Sequence, residues 1–141
     1  MFLGEYEYKV DEKGRVPIPP RFKEELKDGV VLTRGPETCI VAYSVPAWNK
    51  LATSMTGTTM PASKARRLNR AMFAGAFRIP IDGQGRIALP VQLREYAGIG
   101  DELVIAGNNT YLELWDKQQW ETEKAISQEQ SWQIIESLER H

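Results

Sequence analysis

Apolar and polar residues alternate through Tyr6, Tyr8 and Val10 and again through Phe77, Ile79 and Ile81, the period-two pattern of a half-buried strand. A turn follows each run, Asp11-Glu12-Lys13-Gly14 in one place and Asp82-Gly83-Gln84-Gly85 in the other. Aspartate accepts nearby backbone N–H groups in such turns, and Gly14 and Gly85 tolerate positive φ. Short strands are predicted next, over residues 15–18 and 86–89. Pro19 and Pro90 end them and can open a helix, because proline in a first helical turn loses no hydrogen bond. Phe22 with Leu26, and Leu93 with Ala97, give that helix an apolar face at i, i+4. Two more strands close each unit, 30–33 with 39–43 and 103–106 with 111–115. Their turns lie at Arg34-Gly35-Pro36-Glu37 and Gly107-Asn108-Asn109-Thr110. Ser44 and Asp116 are suited to cap the helices that carry Trp48 and Trp120.

These elements are two copies of one unit. Val10 to Pro19 aligns with Ile81 to Pro90 at a shift of 71 positions, with identities at Asp, Gly, Arg and Pro. After a one-residue slip, the 39–44 strand meets 111–116, and Trp48 meets Trp120. The organisation is therefore repeat 1 over 5–50, a linker and basic helix over 51–75, repeat 2 over 76–122, and a C-terminal amphipathic helix over 123–141. Within the linker, residues 61–73 read as helix, with Leu68 and Met72 on one face and Lys64, Arg67 and Arg70 largely on another; residues 53–59 read as weakly structured. Trp132, Ile135 and Leu138 at i, i+3, i+6 mark the last helix, which is expected to dock on the body or on a neighbouring subunit. A β-β-α-β-β unit is too small to bury a core well alone, so the two units should interlock in an α+β, mainly β, fold.

The 141 residues carry 42% hydrophobic and 26% charged side chains, ordinary values for a globular chain. No run approaches the ~18 apolar residues of a membrane span, and the first ten residues lack the apolar core of a signal peptide. A cytoplasmic protein is expected. Cys39, the one cysteine, excludes an intramolecular disulfide and multi-cysteine metal sites, and reads as a small buried thiol. His141 is the only histidine, so chemistry that needs an interior histidine is closed off. Neither a metal nor a cofactor is expected. The net charge of −1 conceals a gradient, with residues 1–62 neutral, 63–94 at +6 and 95–141 at −7. Such asymmetry suits a polyanion-facing zone beside an acidic face, or neutralisation across a subunit contact.

The paired Asp-x-x-Gly-Arg-apolar-x-apolar-Pro motifs, the opening Met1-Phe2-Leu3-Gly4 and the strand Leu112-Glu113-Leu114-Trp115 resemble the MraZ family of bacterial transcriptional regulators. The resemblance covers nearly the whole chain. Lys23, where the family often has Arg, and the prolines Pro17 and Pro20 are small departures. The resemblance implies two AbrB-like repeats in a pseudo-two-fold swapped-hairpin barrel with peripheral helices, and a homo-oligomer, as a ring. It also implies a sequence-specific repressor of the division and cell-wall gene cluster, associated with the nucleoid. Its partner would be double-stranded promoter DNA carrying short repeated boxes, with no small-molecule substrate and no membrane.

The residues themselves are compatible with that role. Arginine is planar, permanently charged and able to bond phosphate or a guanine edge through two donors. Arg15 and Arg86 follow glycine turns, and Asp11 and Asp82, four residues earlier, can hold each guanidinium in one rotamer. The same pairs could instead only staple their own hairpins. Lys13, Arg21 and Lys23 flank the first motif, and Arg78 and Arg94 surround the second, as candidate phosphate contacts. For Lys64, Arg66, Arg67 and Arg70, a solvated helix face or a contact with the acidic C-terminal segment weighs at least as heavily as a phosphate contact. Gly83 to Ala88 fits the dinucleotide fingerprint formally, but the reading after Gly85 is strand, not helix. An aspartic-protease reading of Asp11 and Asp82 fails because an arginine beside each would keep both ionised. The alternative to DNA binding is a protein-interaction or assembly module built on the acidic, tryptophan-containing C-terminal half.

Overall fold

The strands of each repeat find most of their partners in the other repeat. The computed structural model describes residues 1–56 and 59–139. Repeat 1 supplies β1 (Glu5–Lys9), β2 (Arg15–Pro17), β3 (Val30–Arg34), β4 (Ile40–Ser44) and helix α1 (Val45–Thr56). Helix α2 (Ala62–Asn69) and a wider π turn (Arg70–Ala74) lead to β5 (Phe77–Ile79), β6 (Arg86–Ala88), α3 (Val91–Ala97), β7 (Glu102–Asn108), β8 (Tyr111–Asp116) and α4 (Lys117–Glu139).

Strand β1 crosses to repeat 2 and pairs with β7, setting Tyr6 opposite Ile105. Strand β5 crosses back and pairs with β3, setting Ile79 opposite Val30. With β4 against β8, the antiparallel order is β1-β7-β8-β4-β3-β5, and β2 and β6 form a separate antiparallel ribbon. The exchange of β1 and β5 realises the expected interlocking of the repeats. Among the described residues no ladder closes sheet and ribbon into a barrel.

One apolar core joins ribbon, helices and inner sheet face. It includes Val16 and Ile87 from the ribbon, Phe22 and Leu93 from the segments after it, and Leu32 and Leu112 from the sheet. Period-two alternation explains the division, since Val31, Val41 and Trp115 point from neighbouring positions to the other face. On that outer face, Cys39, Val41 and Trp115 pack with Tyr43 and Trp120. Trp48 of α1 lies 5.5 Å from Tyr43, and Trp120 of α4 lies 6.0 Å from Trp115, ring centre to ring centre. The repeat-related tryptophans thus anchor repeat-related helices. Burial, first, and then the carboxylate of Glu113 push the Cys39 thiol up to about 12, which makes it an inert core group.

Several local expectations are modified. After Pro19 the chain forms only a 3-10 turn, Pro20–Phe22, whereas α3 is a full helix. Glu25 and Asp28 stand where repeat 2 has Tyr96 and Ile99, and anions at a helix C-terminal end oppose its dipole. Repeat 2 instead ends its helix on Gly98 at φ 64°, whose N–H reaches the carbonyls of Arg94 and Glu95. Residues 53–56 are helical where weak structure was expected. The hydroxyls of Thr53, Ser54 and Thr56 donate to carbonyls one turn back in α1, which satisfies them inside the helix; residues 57–58, the rest of that expectation up to Thr59, lie outside the described residues. The expected 61–73 helix divides into α2 and the π turn. The helix carrying Trp120 and the C-terminal amphipathic segment are one continuous helix, α4, with Arg140 and His141 outside the described residues. Its far end does not dock on the body: Trp132 and Leu138 are 72% and 70% exposed. Among the described residues no helix is long and apolar enough to cross a membrane.

Val16 sits opposite Ile87 across the ribbon, and both side chains are buried. Ile87→Ala should therefore lower unfolding free energy by about 2–5 kcal/mol, read from the urea midpoint. A midpoint equal to that of the unsubstituted chain would contradict this placement of the core.

Candidate nucleic-acid interface

Both motif loops fold by the same bonds. In repeat 1 the Asp11 carbonyl accepts from the Gly14 N–H at 3.0 Å, and the Asp11 N–H donates to the Arg15 carbonyl at 3.0 Å. One carboxylate oxygen, Oδ1, accepts the backbone N–H groups of Lys13 and Arg15 at 2.9 and 2.8 Å. The other, Oδ2, accepts from Arg15 Nε at 2.8 Å. Repeat 2 repeats the set with Asp82, Gln84 and Arg86, at 2.9, 2.9 and 3.0 Å. Gly14 and Gly85 take φ 74° and 77°, the left-handed region in which a side chain would be strained. The G-x-G segment is thus a hairpin turn running into β6, with no helix opening at its glycines.

The ribbon then carries both arginines on one face. Alternation sends Val16 and Ile87 inward and leaves Arg15 and Arg86 outward, each facing the other strand's small or imino residue: Arg15 opposite Ala88, Arg86 opposite Pro17. Across the ribbon, Arg86 Nη1 comes within 3.7 Å of Asp11 Oδ2, so the two pairs form one four-charge cluster. The ladder ties the loops together as well: Ile18 N–H donates to the Gly85 carbonyl and Leu89 N–H to the Gly14 carbonyl, both at 2.8 Å. Each aspartate engages the Nε side of its own arginine, and among the described residues no hydrogen bond takes up the Nη groups of either, Arg86 Nη1 only approaching Asp11 across the ribbon. Arg15 and Arg86 are 30% and 25% exposed, rigidly held yet accessible. The backbone N–H of Arg15 and, after it, the guanidinium hold Asp11 below the usual carboxylate range, against the opposing effect of its partial desolvation. Asp82 is held down chiefly by the N–H of Arg86, with Gln84 N–H and the Arg86 side chain adding to it.

The remaining basic candidates divide. Lys23, adjacent to the first motif in sequence, lies against the second loop, and Arg94, adjacent to the second, lies against the first. A Cβ on Gly85 would stand 3.6 Å from Lys23 Nζ, and one on Gly14 would stand 3.6 Å from Arg94 Nη1. This exchange follows from ribbon pairing between repeats, which sequence order cannot display. Arg94 also ends α3, donating to the Ile99 and Gly100 carbonyls at 3.3 and 3.0 Å. Lys13 is exposed at the first loop, and Arg21 donates to the Tyr6 hydroxyl at 2.9 Å. Arg78 is not brought to the ribbon: on β5 it is paired with Val31, pointing to the outer sheet face, and it donates to the Asp28 carbonyl at 3.4 Å. Gln84 was no candidate on charge grounds, yet it is exposed at the tip in the place of Lys13. The 71-residue shift is the signal that identifies it. Among the described residues no three His, Cys, Asp or Glu are grouped so as to hold a metal.

Comparison with known proteins matches this architecture to one family. The family model described as "MraZ protein, putative antitoxin-like" matches residues 1–71 and again 72–139. A Dehalococcoides mccartyi protein named transcriptional regulator MraZ is 57% identical over 142 residues, covering all of both chains. Proteins of the same name from Roseiflexus castenholzii and Deinococcus radiodurans are 43% and 38% identical, covering 86% and 91% of this chain and 85% and 90% of theirs.

The bonds to Asp11 and Asp82 have a pH signature. A carboxyl group whose folded value is depressed stabilises the fold above its unfolded value and loses that contribution as pH falls through the folded value. Carboxyl-carbon NMR should thus show both aspartates titrating below the ~3.9 of a free aspartate. Titration of either at or above that value would contradict the carboxylate-anchored loop.

Proposed function

The chain belongs to the MraZ family of transcriptional regulators, and from that premise we propose that it binds promoter DNA through the paired arginines of the β2–β6 ribbon. One observation carries the reading: two partly exposed guanidinium groups on one ribbon face, each fixed through Nε to an aspartate. A guanidinium held in one rotamer has less freedom to lose on meeting a base edge or phosphate. Lys13, Lys23, Arg21 and Arg94 surround that face as phosphate contacts, which set register and affinity. Arg78, on the opposite side of the sheet, is outside this contact set.

The target we propose is the family's set of short repeated boxes upstream of the division and cell-wall gene cluster, with the protein acting there as a repressor in the cytoplasm, on the nucleoid. A single ribbon makes few contacts, so several subunits of a homo-oligomer, arranged as a ring, would engage successive boxes and multiply weak binding by effective concentration. No catalytic step, cofactor or small-molecule substrate enters this account. The rival reading, an assembly module without DNA readout, draws on the exposed apolar end of α4. The ribbon arginines separate the two.

Arg15→Ala and Arg86→Ala should each weaken binding to a promoter duplex by about 1–3 kcal/mol, roughly 5- to 150-fold, while leaving the thermal midpoint in place. The affinity of the unsubstituted chain should also fall steeply with salt. Unchanged promoter affinity in the double variant would overturn the assignment of DNA to this ribbon.

A further inference from the structure

The C-terminal half of α4 gathers five exposed large apolar side chains, Ile126, Trp132, Ile134, Ile135 and Leu138. Lys117, Trp120 and Lys124 face the body: Lys117 bridges Glu7 and Glu102 at 3.0 and 3.2 Å, Trp120 packs on Trp115, and Lys124 bonds Glu5 at 2.9 Å. Alternate steps of three and four carry the same seam onward through Ser127, Ser131, Ile134 and Leu138. Ser127 still lines a hollow with Gly107, Asn108 and Trp120, and from Trp132 to Glu139 every described residue is exposed. Ile134 and Leu138 are 56% and 70% exposed, as are Trp132 and Ile135 beside them in large part. The 15 residues from Ala125 to Glu139 project roughly 22 Å at 1.5 Å per residue. An exposed apolar stripe that continues a docked seam in register marks an interaction surface.

Charge identifies what fits it. From Ala125 to Glu139 the helix carries Glu129, Glu136 and Glu139 and no basic residue. On the outer face beside the π turn lies an open groove of ≈ 680 Å³, with Tyr43, Met72 and Phe77 in its wall and Arg34 and Arg70 on it. Arg34 is stacked on the Tyr96 ring at 4.9 Å. Neither arginine, nor Lys64, Arg66 or Arg67 of α2, makes an ion pair among the described residues. One chain thus holds an acidic apolar helix end and a basic apolar groove that do not meet within it. We propose that the α4 end of one copy seats in the Arg34–Arg70 groove of a second copy. A tail-to-groove contact is heterologous, so it closes either as a reciprocal pair or as a ring. This inference rests on the homo-oligomer reading above and assigns its interface; it is independent of the DNA-binding ribbon.

Light scattering on the full chain tests it, with Ile134→Glu/Leu138→Glu and Arg34→Glu/Arg70→Glu as separate variants. The unsubstituted chain should have a mass several times 16.0 kDa, and both variants should fall to a lower mass. A loss confined to the helix variant would mean that α4 ends pair with one another, and overturns the groove. An unchanged mass in both overturns the inference while leaving the oligomer reading intact; a monomeric unsubstituted chain overturns both. Cross-linking guards against a misfolded variant. In a Cys39→Ser background, Leu138→Cys and Ala71→Cys chains should form a disulfide-linked heterodimer only when mixed. Absence of that product, or equal self-linking of Leu138→Cys, overturns the proposal.

Discussion

The β2–β6 ribbon is the constraint on which the rest depends. Three residues from each repeat form it, and its centre is the Val16–Ile87 pair, buried against the core from both sides. Neither strand could bury its apolar residue or satisfy its backbone without the other. That mutual need fixes the repeats about a pseudo-two-fold axis and leaves β1 and β5 to pair across it. It also sets the register in which the two loops stand. A slip of one residue would turn Arg15 and Arg86 into the core and Val16 and Ile87 into water.

The electrostatics of the loops follow from that placement. Each aspartate spends one oxygen on backbone N–H groups and the other on an arginine Nε, so the turn is held by the group that also orients the cation. Stapling and presentation are the same arrangement. The exposure of these pairs keeps their direct contribution to stability small, while the orientation they impose survives because the backbone bonds share it. The contacts of Lys23 and Arg94 with the opposite loops add positive charge on both sides of the cluster without a second acidic partner.

Much of this was legible because a repeat supplies its own control. Matching Asp11–Arg15 to Asp82–Arg86 located both loops, and alternation, turn residues and the repeat together located all eight strands within about one or two residues. What was hidden is what local pattern does not encode. The exchange of β1 and β5, and with it the swap of Lys23 and Arg94 between loops, depends on pairing across 71 residues. Arg78 looked like a neighbour of the second motif because β5 precedes it, yet β5 leaves to join β3. Helix α1 ran further than its threonines suggested because their hydroxyls found carbonyls in the helix. For α4, the apolar spacing announced a buried face but not that Trp132, Ile134 and Leu138 stay exposed on this chain. Gln84 carries no charge to mark it as a loop contact; only its repeat position opposite Lys13 does.

The ribbon face carrying Arg15 and Arg86 is the surface proposed to meet DNA, and a structure of the protein bound to a duplex from its own upstream region decides the matter. Nη groups of both arginines should lie within about 2.7–3.2 Å of base-edge or phosphate acceptors, with the Nε bonds to Asp11 and Asp82 kept. DNA seated instead on α2 and the outer sheet face, with the ribbon left in solvent, would contradict it.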